Sequence, residues 1–254
     1  MALVEYEIKG RTAYITLNRP EKLNALNHEM LALLWEAFTD FKENDDVWLG
    51  IVTGTGRAFS VGHDLVEMGS GTEEQRKAGS TDELYFLEQN TWKPLIGVVN
   101  GLCLAQGAGI ALGADIKIAS EDARFGWPQV KRGLTSISGP VILSHRIPLC
   151  KALEYLFTGD FMSAQEAQEL GLINYVVSPD RLMEKAEEIA AKILENAPLA
   201  VRSMKEGAVK GQHLSLRDRL GLAQEVFGRV RDTEDAQEGL DSFNEKRPPV
   251  WKAR

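Results

Sequence analysis

The chain has 254 residues, 44% of them hydrophobic and 26% charged, which is the composition of a globular protein rather than a disordered or fibrous one. Its formal net charge of −8 argues against general nucleic-acid binding, although a local basic rim could still bind an anionic small molecule. No apolar run approaches the ~20 residues of a membrane-spanning helix, and residues 1–10 lack the features of a secretory signal. With only Cys103 and Cys150, we expect free thiols and a cytoplasmic location.

Strand and helix patterns alternate along the first 195 residues. Short apolar or alternating runs predict strands at 14–18, 49–53, 95–99, 116–120 and 174–177. Asn27 can cap a helix at 28–43, whose apolar residues follow helical spacing. Further helices are predicted at about 81–92, 143–157 and 164–171, the last beginning with a capping box at Ser163. Residues 69–80 are predicted to form a mobile loop, and 123–130 to be irregular.

The pattern changes near residue 180, after which only helical spacing remains. The predicted helices are at about 180–195, 198–210, 215–230 and 232–243. Strands alternating with helices favour a layered α/β core. We therefore divide the chain into an α/β core at 1–195 and a helical C-terminal region at 196–254.

A glycine-rich stretch follows the strand predicted at 95–99. A backbone with few side chains at the start of a helix, as at Gln106–Gly109, can bind an anion through peptide N–H groups. The glycines at 107–113 also fit a relaxed dinucleotide-binding pattern of an NAD(P)-dependent oxidoreductase. Against that alternative, six residues separate Asn100 from Gly107, and the usual crossover helix does not fit before the next strand. A third interpretation is that the glycines allow close helix packing.

Several motifs resemble one known family when they are taken together and in order. They are Asn-Ala-Leu at 24–26, Ala-Phe-Ser-Val-Gly-His-Asp-Leu at 58–65, Lys-Pro-Leu-Ile-Gly-Val-Val-Asn-Gly at 93–101, and Ala-Arg-Phe-Gly-Trp-Pro at 123–128. Further agreement occurs at 158–160, 164–173 and 243–249. The chain resembles the crotonase superfamily, also called the enoyl-CoA hydratase/isomerase family, over essentially its whole length.

This resemblance implies a spiral of ββα units followed by a helical trimerisation region. It implies a homotrimer or a dimer of trimers that binds acyl-CoA thioesters and stabilises an enolate-like intermediate. Coenzyme A enters as part of the substrate, and neither a permanently bound cofactor nor a metal is expected.

Two backbone N–H groups hold the thioester oxygen in this family. By resemblance they belong here to His63 and Gln106, and donors of this kind contribute a few kcal/mol each as charge develops on the oxygen. The His63 ring could contact substrate or simply face solvent. Substrate and coenzyme A contacts are implied at Lys22, Asn24, Ala25, Leu26, Ala58, Ser60, Gly62, Asp64, Gly107 and Lys246. Lys22 and Lys246 could equally be ordinary solvated charges, and Asp64 could hold its turn.

The chain departs from the family pattern at its acid–base residues. Gly109 and Gln129 stand where a hydratase has its two catalytic glutamates, and neither residue can act as a general base. Ile137 stands where some relatives have an aspartate. These departures favour lyase or decarboxylase chemistry, or an atypical hydratase or isomerase; the alternative is a catalytically silent acyl-CoA-binding paralogue. Replacement proton-transfer groups could be His63, Glu67, Ser136, Ser138 or His145, and Gln129 could hydrogen-bond a polar acyl group.

Overall fold

The computed structural model of the protein describes residues 2–67 and 81–254, with the backbone alone at 81–83. The mobile loop predicted at 69–80 lies outside the described residues. The strands are β1 (Val4–Lys9), β2 (Thr12–Leu17), β3 (Leu49–Gly54), β4 (Ala58–Ser60), β5 (Leu95–Val99), β6 (Leu102–Leu104), β7 (Ile116–Ser120), β8 (Arg124–Gly126), β9 (Phe161–Ser163) and β10 (Tyr175–Val177).

The helices alternate with these strands up to β10 and then continue alone. They are α1 (His28–Glu43), α2 (Thr81–Gln89), α3 (Gln106–Gly113), α4 (Ser144–Arg146), α5 (Leu149–Thr158), α6 (Ala164–Glu169), α7 (Leu182–Leu194), α8 (Pro198–Gly211), α9 (Leu216–Arg231) and α10 (Glu234–Glu245).

The strands form two sheets. The six-stranded sheet has the order β1-β2-β3-β5-β7-β10 and is parallel except for the pairing of β1 with β2. The four-stranded sheet has the order β4-β6-β8-β9, in which only β9 is antiparallel. The pairs β3/β4, β5/β6 and β7/β8 each place their first strand in the large sheet and their second in the small one. The chain therefore winds as the spiral of turns that the resemblance implied.

Helices cover both faces of the large sheet. On one face Leu34, Phe38 and Phe41 of α1 are fully buried in the main core. On the other face, α7 packs against the central strands through a separate cluster that includes Ile51 and Ile189. Burying one such side chain contributes roughly 1.5–3 kcal/mol.

The small sheet was not predicted. Each of its strands is three residues long and too short to show alternation by itself; β10 is equally short but was predicted as part of the run at 174–177. The prediction of an irregular segment at 123–130 was wrong, because it contains β8 and the start of a 3₁₀ turn, Pro128–Arg132. No helix of the described residues is long and apolar enough to cross a membrane. Cys103 is buried and Cys150 is exposed, and both are free thiols.

Candidate active site

A cavity of about 720 Å³ lies at one edge of the small sheet. Since β4, β6 and β8 are parallel neighbours, their carboxyl ends meet at this edge, and the chain leaves them as segments 61–67, 105–109 and 127–138. The loop before α1 completes the wall. The lining consists of Arg19, Lys22, Ala25, Val61, His63, Asp64, Leu65, Val66, Glu67, Ala105, Gln106, Pro128, Gln129, Arg132, Leu134, Thr135, Ser136 and Ile137.

The two segments that carry the predicted N–H donors are in direct contact. Gly62 has a φ of +87°, and a Cβ there would lie 2.7 Å from the Ala105 Cβ and 3.1 Å from the Gln106 nitrogen. A Cβ on Gly107 would lie 2.7 Å from the Cβ of Ser60. Only glycine at these two positions lets the segments approach so closely. The structure therefore brings His63 and Gln106 to the same cavity.

Local structure sets the direction of both peptide groups. Leu26 forms a parallel bridge with His63, donating its N–H to the Gly62 carbonyl at 2.8 Å and accepting the Asp64 N–H at 2.9 Å. In a parallel bridge of this kind, the N–H of the bridged residue, His63, points away from the partner strand. Gln106 is the first residue of α3, where a backbone N–H has no acceptor within its own helix.

Ala105, which precedes the Gln106 donor, has a strained backbone. Its φ of 54° and ψ of −122° are rarely adopted by a residue with a Cβ, and such a conformation costs of order 1–3 kcal/mol. Its N–H donates to the Gly126 carbonyl at 2.8 Å, which ties α3 to the end of β8. The strained residue thus immediately precedes the candidate donor, Gln106.

The two positions that lack a glutamate are occupied differently. At Gly109, a Cβ would lie 2.9 Å from the Gln106 Nε2 and 3.0 Å from the Ser138 Cβ, so two neighbouring side chains fill that space. Gln129 lines the cavity, and its buried Oε1 has no hydrogen-bond partner among the described residues. Neither Gly109 nor Gln129 provides a group that titrates, and the Gln129 amide oxygen is an unused hydrogen-bond acceptor.

The Asp64 carboxylate on the cavity wall has a structural role. It accepts a hydrogen bond from Arg19 at 2.8 Å, and both side chains are 12% exposed. It also accepts the Val66 N–H at 3.1 Å. The Arg19 hydrogen bond holds the pKa of Asp64 below its usual range, despite the opposing effect of burial. Asp64 is therefore ionised near neutral pH and cannot be the proton donor there.

Comparison with known proteins shows the family. The enoyl-CoA hydratase/isomerase family matches residues 7–254. The (E)-benzylidenesuccinyl-CoA hydratase of Thauera aromatica is 36% identical over 252 residues, 98% of each chain. The chain belongs to the enoyl-CoA hydratase/isomerase family. The short-chain-enoyl-CoA hydratase of Clostridium acetobutylicum is 38% identical over 95% of this chain and 94% of that protein.

Solved structures show the same fold in this family. The crystal structure of an enoyl-CoA hydratase/isomerase from Mycobacterium paratuberculosis superposes with a TM-score of 0.91, at 40% identity and over 99% of both chains. The crotonase-superfamily prediction is confirmed, and the alternative of a dinucleotide-binding fold is therefore wrong. The helix-packing interpretation of the glycines also applies in part, because the Cβ position of Gly113 in α3 lies against Glu88 of α2.

Other residues implied by the resemblance lie behind the cavity wall or away from it. Asn24, Leu26, Ala58 and Ser60 are buried and do not line the cavity. Asn24 (φ 54°) ties the loop before α1 to the sheet, because its amide donates to the Thr55 and Ala58 carbonyls and accepts the Arg19 N–H. Of the implied coenzyme A contacts, the side chains at Lys22, Ala25 and Asp64 do line it.

Two candidates lie outside this site. Lys246 is exposed at the C-terminal end of α10 and is not part of the lining. His145 lines a separate cavity of about 470 Å³, where its ring is 5.2 Å from that of His213. Within the described part of the chain, no cluster of His, Cys, Asp and Glu could hold a metal ion.

Sequence reasoning did not single out Arg19 or Arg132 as site residues, yet both line the cavity. Arg19 precedes Pro20 in a loop, and Arg132 ends the 3₁₀ turn after β8. Isolated charges in loops carry no periodic pattern, so the sequence contains no local feature that marks them.

Proposed function

We propose that the cavity binds an acyl-CoA thioester and stabilises its enolate through the N–H groups of His63 and Gln106. The contact between the segments that carry these residues supports the proposal, because it places both in the lining of one cavity. Preorganised main-chain donors stabilise charge that develops on oxygen during a reaction. A thioester oxygen gains such charge when an enolate forms, and these donors need no side-chain chemistry.

The proposed reaction class rests on a single observation, namely that the space beside Gly109 is already filled. This space is filled by the Gln106 carboxamide and by Ser138, and the second glutamate position is occupied by Gln129. Activation of water by two carboxylates is therefore not available at these positions. We propose lyase chemistry in which the enolate forms by loss of carbon dioxide. The bond between the α-carbon and its carboxylate breaks, its electron pair moves into the enolate, and the α-carbon then takes a proton from water.

The wall that carries Gln129 supports an acyl group with a polar or anionic substituent. The Gln129 Oε1 lacks a donor among the described residues, and the nearby Arg132 has no carboxylate partner in that part of the chain. A carboxylate pairs well with a guanidinium, which presents several N–H donors in a fixed plane. The name of the Thauera relative specifies a succinyl-type acyl group, which is consistent with a second carboxylate on the substrate.

The C-terminal helices support self-association into the homotrimer or dimer of trimers that the resemblance implied. Leu220 and Phe227 of α9 and Leu240 and Phe243 of α10 are all more than half exposed in the single chain. Exposed apolar residues that recur along neighbouring helices are typical of interfaces. Size-exclusion chromatography with light scattering measures the assembly, and a monomer at micromolar concentration would contradict it.

The decisive experiment is a turnover panel followed by mass spectrometry. Crotonyl-CoA, malonyl-CoA and methylmalonyl-CoA are incubated separately with the protein. We expect loss of carbon dioxide from a carboxylated thioester and little water addition to crotonyl-CoA. Rapid hydration of crotonyl-CoA would refute the argument from Gly109 and Gln129. Micromolar binding with no turnover of a broad panel would identify a silent acyl-CoA-binding paralogue instead.

A further inference from the structure

The peptide group between Ala105 and Gln106 carries two relevant atoms. Its N–H is the candidate oxyanion donor of Gln106, and its carbonyl belongs to Ala105. In a planar trans peptide, the C=O and the N–H point in opposite directions, so a partner that fixes the oxygen also fixes the direction of the hydrogen. The hydrogen bonds to the Ala105 carbonyl therefore determine where this donor points.

Two groups donate to the Ala105 carbonyl. The Gly109 N–H does so at 3.2 Å from within α3. The Ser138 hydroxyl does so at 3.2 Å from a different segment, the one that follows the 3₁₀ turn after β8. The first bond is part of the helix, whereas the second depends on one side chain. Because Ala105 is strained, an external constraint of this kind is needed to hold its peptide in place.

Ser138 is itself held in place from two sides. It is 5% exposed, and its oxygen accepts the indole N–H of the buried Trp127 at 3.1 Å. A hydroxyl has one proton to donate, and that of Ser138 goes to Ala105. In the 3.3 Å contact between Ser136 and Ser138, Ser136 is therefore the donor. The Ser136 oxygen in turn accepts the Gly139 N–H at 3.1 Å.

We propose that Ser138 is a positioning residue for the oxyanion donor, acting through the Ala105–Gln106 peptide. The proposal rests on the proposed function of Gln106. Ser138 orients the N–H towards the cavity. Its hydrogen bond also polarises the peptide, since donors at a carbonyl strengthen the N–H of the same amide. Trp127 and Ser136 support it, so a chain of hydrogen bonds links the end of β8 to the start of α3.

The experiment uses acetoacetyl-CoA as a probe, because its bound enolate has an ultraviolet absorption band that can be followed without turnover. We compare the full-length wild-type chain with Ser138→Ala and with Ser138→Thr, which keeps a hydroxyl. Ser144→Ala is the matched control, because Ser144 also donates its hydroxyl to a backbone carbonyl, that of Pro140, but does not line the cavity. Trp127→Phe is a second variant, which removes the donor to Ser138 while keeping a ring.

We expect Ser138→Ala to lower the enolate-to-keto ratio of the bound probe roughly fivefold to tenfold, the effect of one lost hydrogen bond. Its dissociation constant for butyryl-CoA stays within about threefold of wild type, and Ser138→Thr restores at least part of the enolate band. Trp127→Phe shows a smaller decrease in the same direction. With a substrate found in the turnover panel, kcat falls while KM is nearly constant.

Two results would overturn the inference. One is an unchanged enolate band in a folded Ser138→Ala variant, and the other is an equal decrease in Ser144→Ala. The proposed function fails in a different way, namely if the wild-type chain does not bind acetoacetyl-CoA or binds it with no enolate band. If Ser138→Ala does not fold, an unchanged band in Trp127→Phe overturns the inference in its place.

Discussion

The side chain of Gln106 lies over Gly109, with its Nε2 2.9 Å from the place where a Cβ of residue 109 would be. This relationship explains how the chain can lack a glutamate at position 109 without a void. Gln106 is 7% exposed, so its carboxamide both fills the space and borders the cavity. Restoring a carboxylate at 109 therefore requires more than one substitution.

The first prediction concerns Gly109→Glu. The new side chain must displace the Gln106 carboxamide and press on the Ser138 Cβ, 3.0 Å from the new Cβ. Overpacking of this kind costs typically 1–3 kcal/mol in the free energy of unfolding. The double variant Gln106→Ala/Gly109→Glu should recover about half of that loss, because the shorter side chain makes room. Urea unfolding of both single variants and the double variant measures the coupling, and strict additivity would show that the two side chains do not compete.

The second prediction concerns Gly62→Ala. The added methyl group meets the Ala105 Cβ at 2.7 Å, and the alanine must adopt a φ of +87°. The two donor segments then separate, and we expect the enolate band of bound acetoacetyl-CoA to be lost. Gly171→Ala is the matched control, because Gly171 also has a positive φ, of +74°, but has nothing within 4 Å of its Cβ position. A Gly62→Ala variant that behaves like Gly171→Ala in the probe assay would contradict the contact between the segments.

The parts of the fold that the sequence predicts well are those with long, uniform patterns. The strands at 95–99 and 116–120 and the helix at 28–43 have the predicted bounds, and the Asn27 side chain caps that helix by accepting the Met30 N–H. The central strand at 95–99 is covered on both faces, so its sequence is a continuous apolar run. Three-residue strands are hard to predict from a period alone, and the four-stranded sheet was missed for this reason, although β10, of the same length, was predicted.

The candidate site also has one part that the sequence predicts and one part that it does not. The resemblance to the family, carried by several motifs in order, implied which segments matter, and the structure brings 61–63 and 105–107 together. The contact of Gln106 with Gly109 and the hydrogen bond from Ser138 to Ala105 depend on the directions of individual side chains. A single sequence contains no periodic pattern for such contacts. The roles of His63 and Gln106 in catalysis stay predictions until the probe experiments are done.

The third prediction concerns Glu88, which is 1% exposed and has no hydrogen-bond partner for either carboxylate oxygen among the described residues. Burial raises its pKa well above the usual range, against the attraction of Lys205 and with the repulsion of Asp115. The folded state therefore keeps a proton that the unfolded state releases near neutral pH. Because the folded state binds more protons, the free energy of unfolding falls as pH rises above the unfolded pKa.

Glu88→Gln removes this dependence on pH. Relative to wild type, the variant should gain stability as pH rises from about 5, with little difference below the ordinary carboxyl pKa. Thermal unfolding at several pH values measures the difference. Glu43→Gln, at an exposed position, serves as the control and should show no such trend. A constant difference between Glu88→Gln and wild type across pH would mean that Glu88 is ionised in the folded protein.

The fourth prediction concerns substrate selection by Arg132. Arg132→Gln should weaken binding of glutaryl-CoA about tenfold, the effect of one lost charge-assisted hydrogen bond, and leave butyryl-CoA nearly unchanged. Lys131→Gln is the control, because the neighbouring Lys131 pairs with Asp160 at 2.8 Å and does not line the cavity. Calorimetric titration provides the dissociation constants. Equal weakening of both ligands would place Arg132 against the coenzyme A portion instead of the acyl group.

The winding of the chain also sets the order in which the cavity can form during synthesis. Its walls come from segments that end three successive strands of the small sheet, the last of them reaching residue 138. While the ribosome has delivered only β4 and β6, the Ala105 carbonyl has no Ser138 to bind. At roughly 5–20 residues per second, the nascent chain therefore spends several seconds with both donor segments translated and the third wall still missing. A fragment that ends before β8 would have an incomplete cavity and would also lack α7, which covers one face of the large sheet.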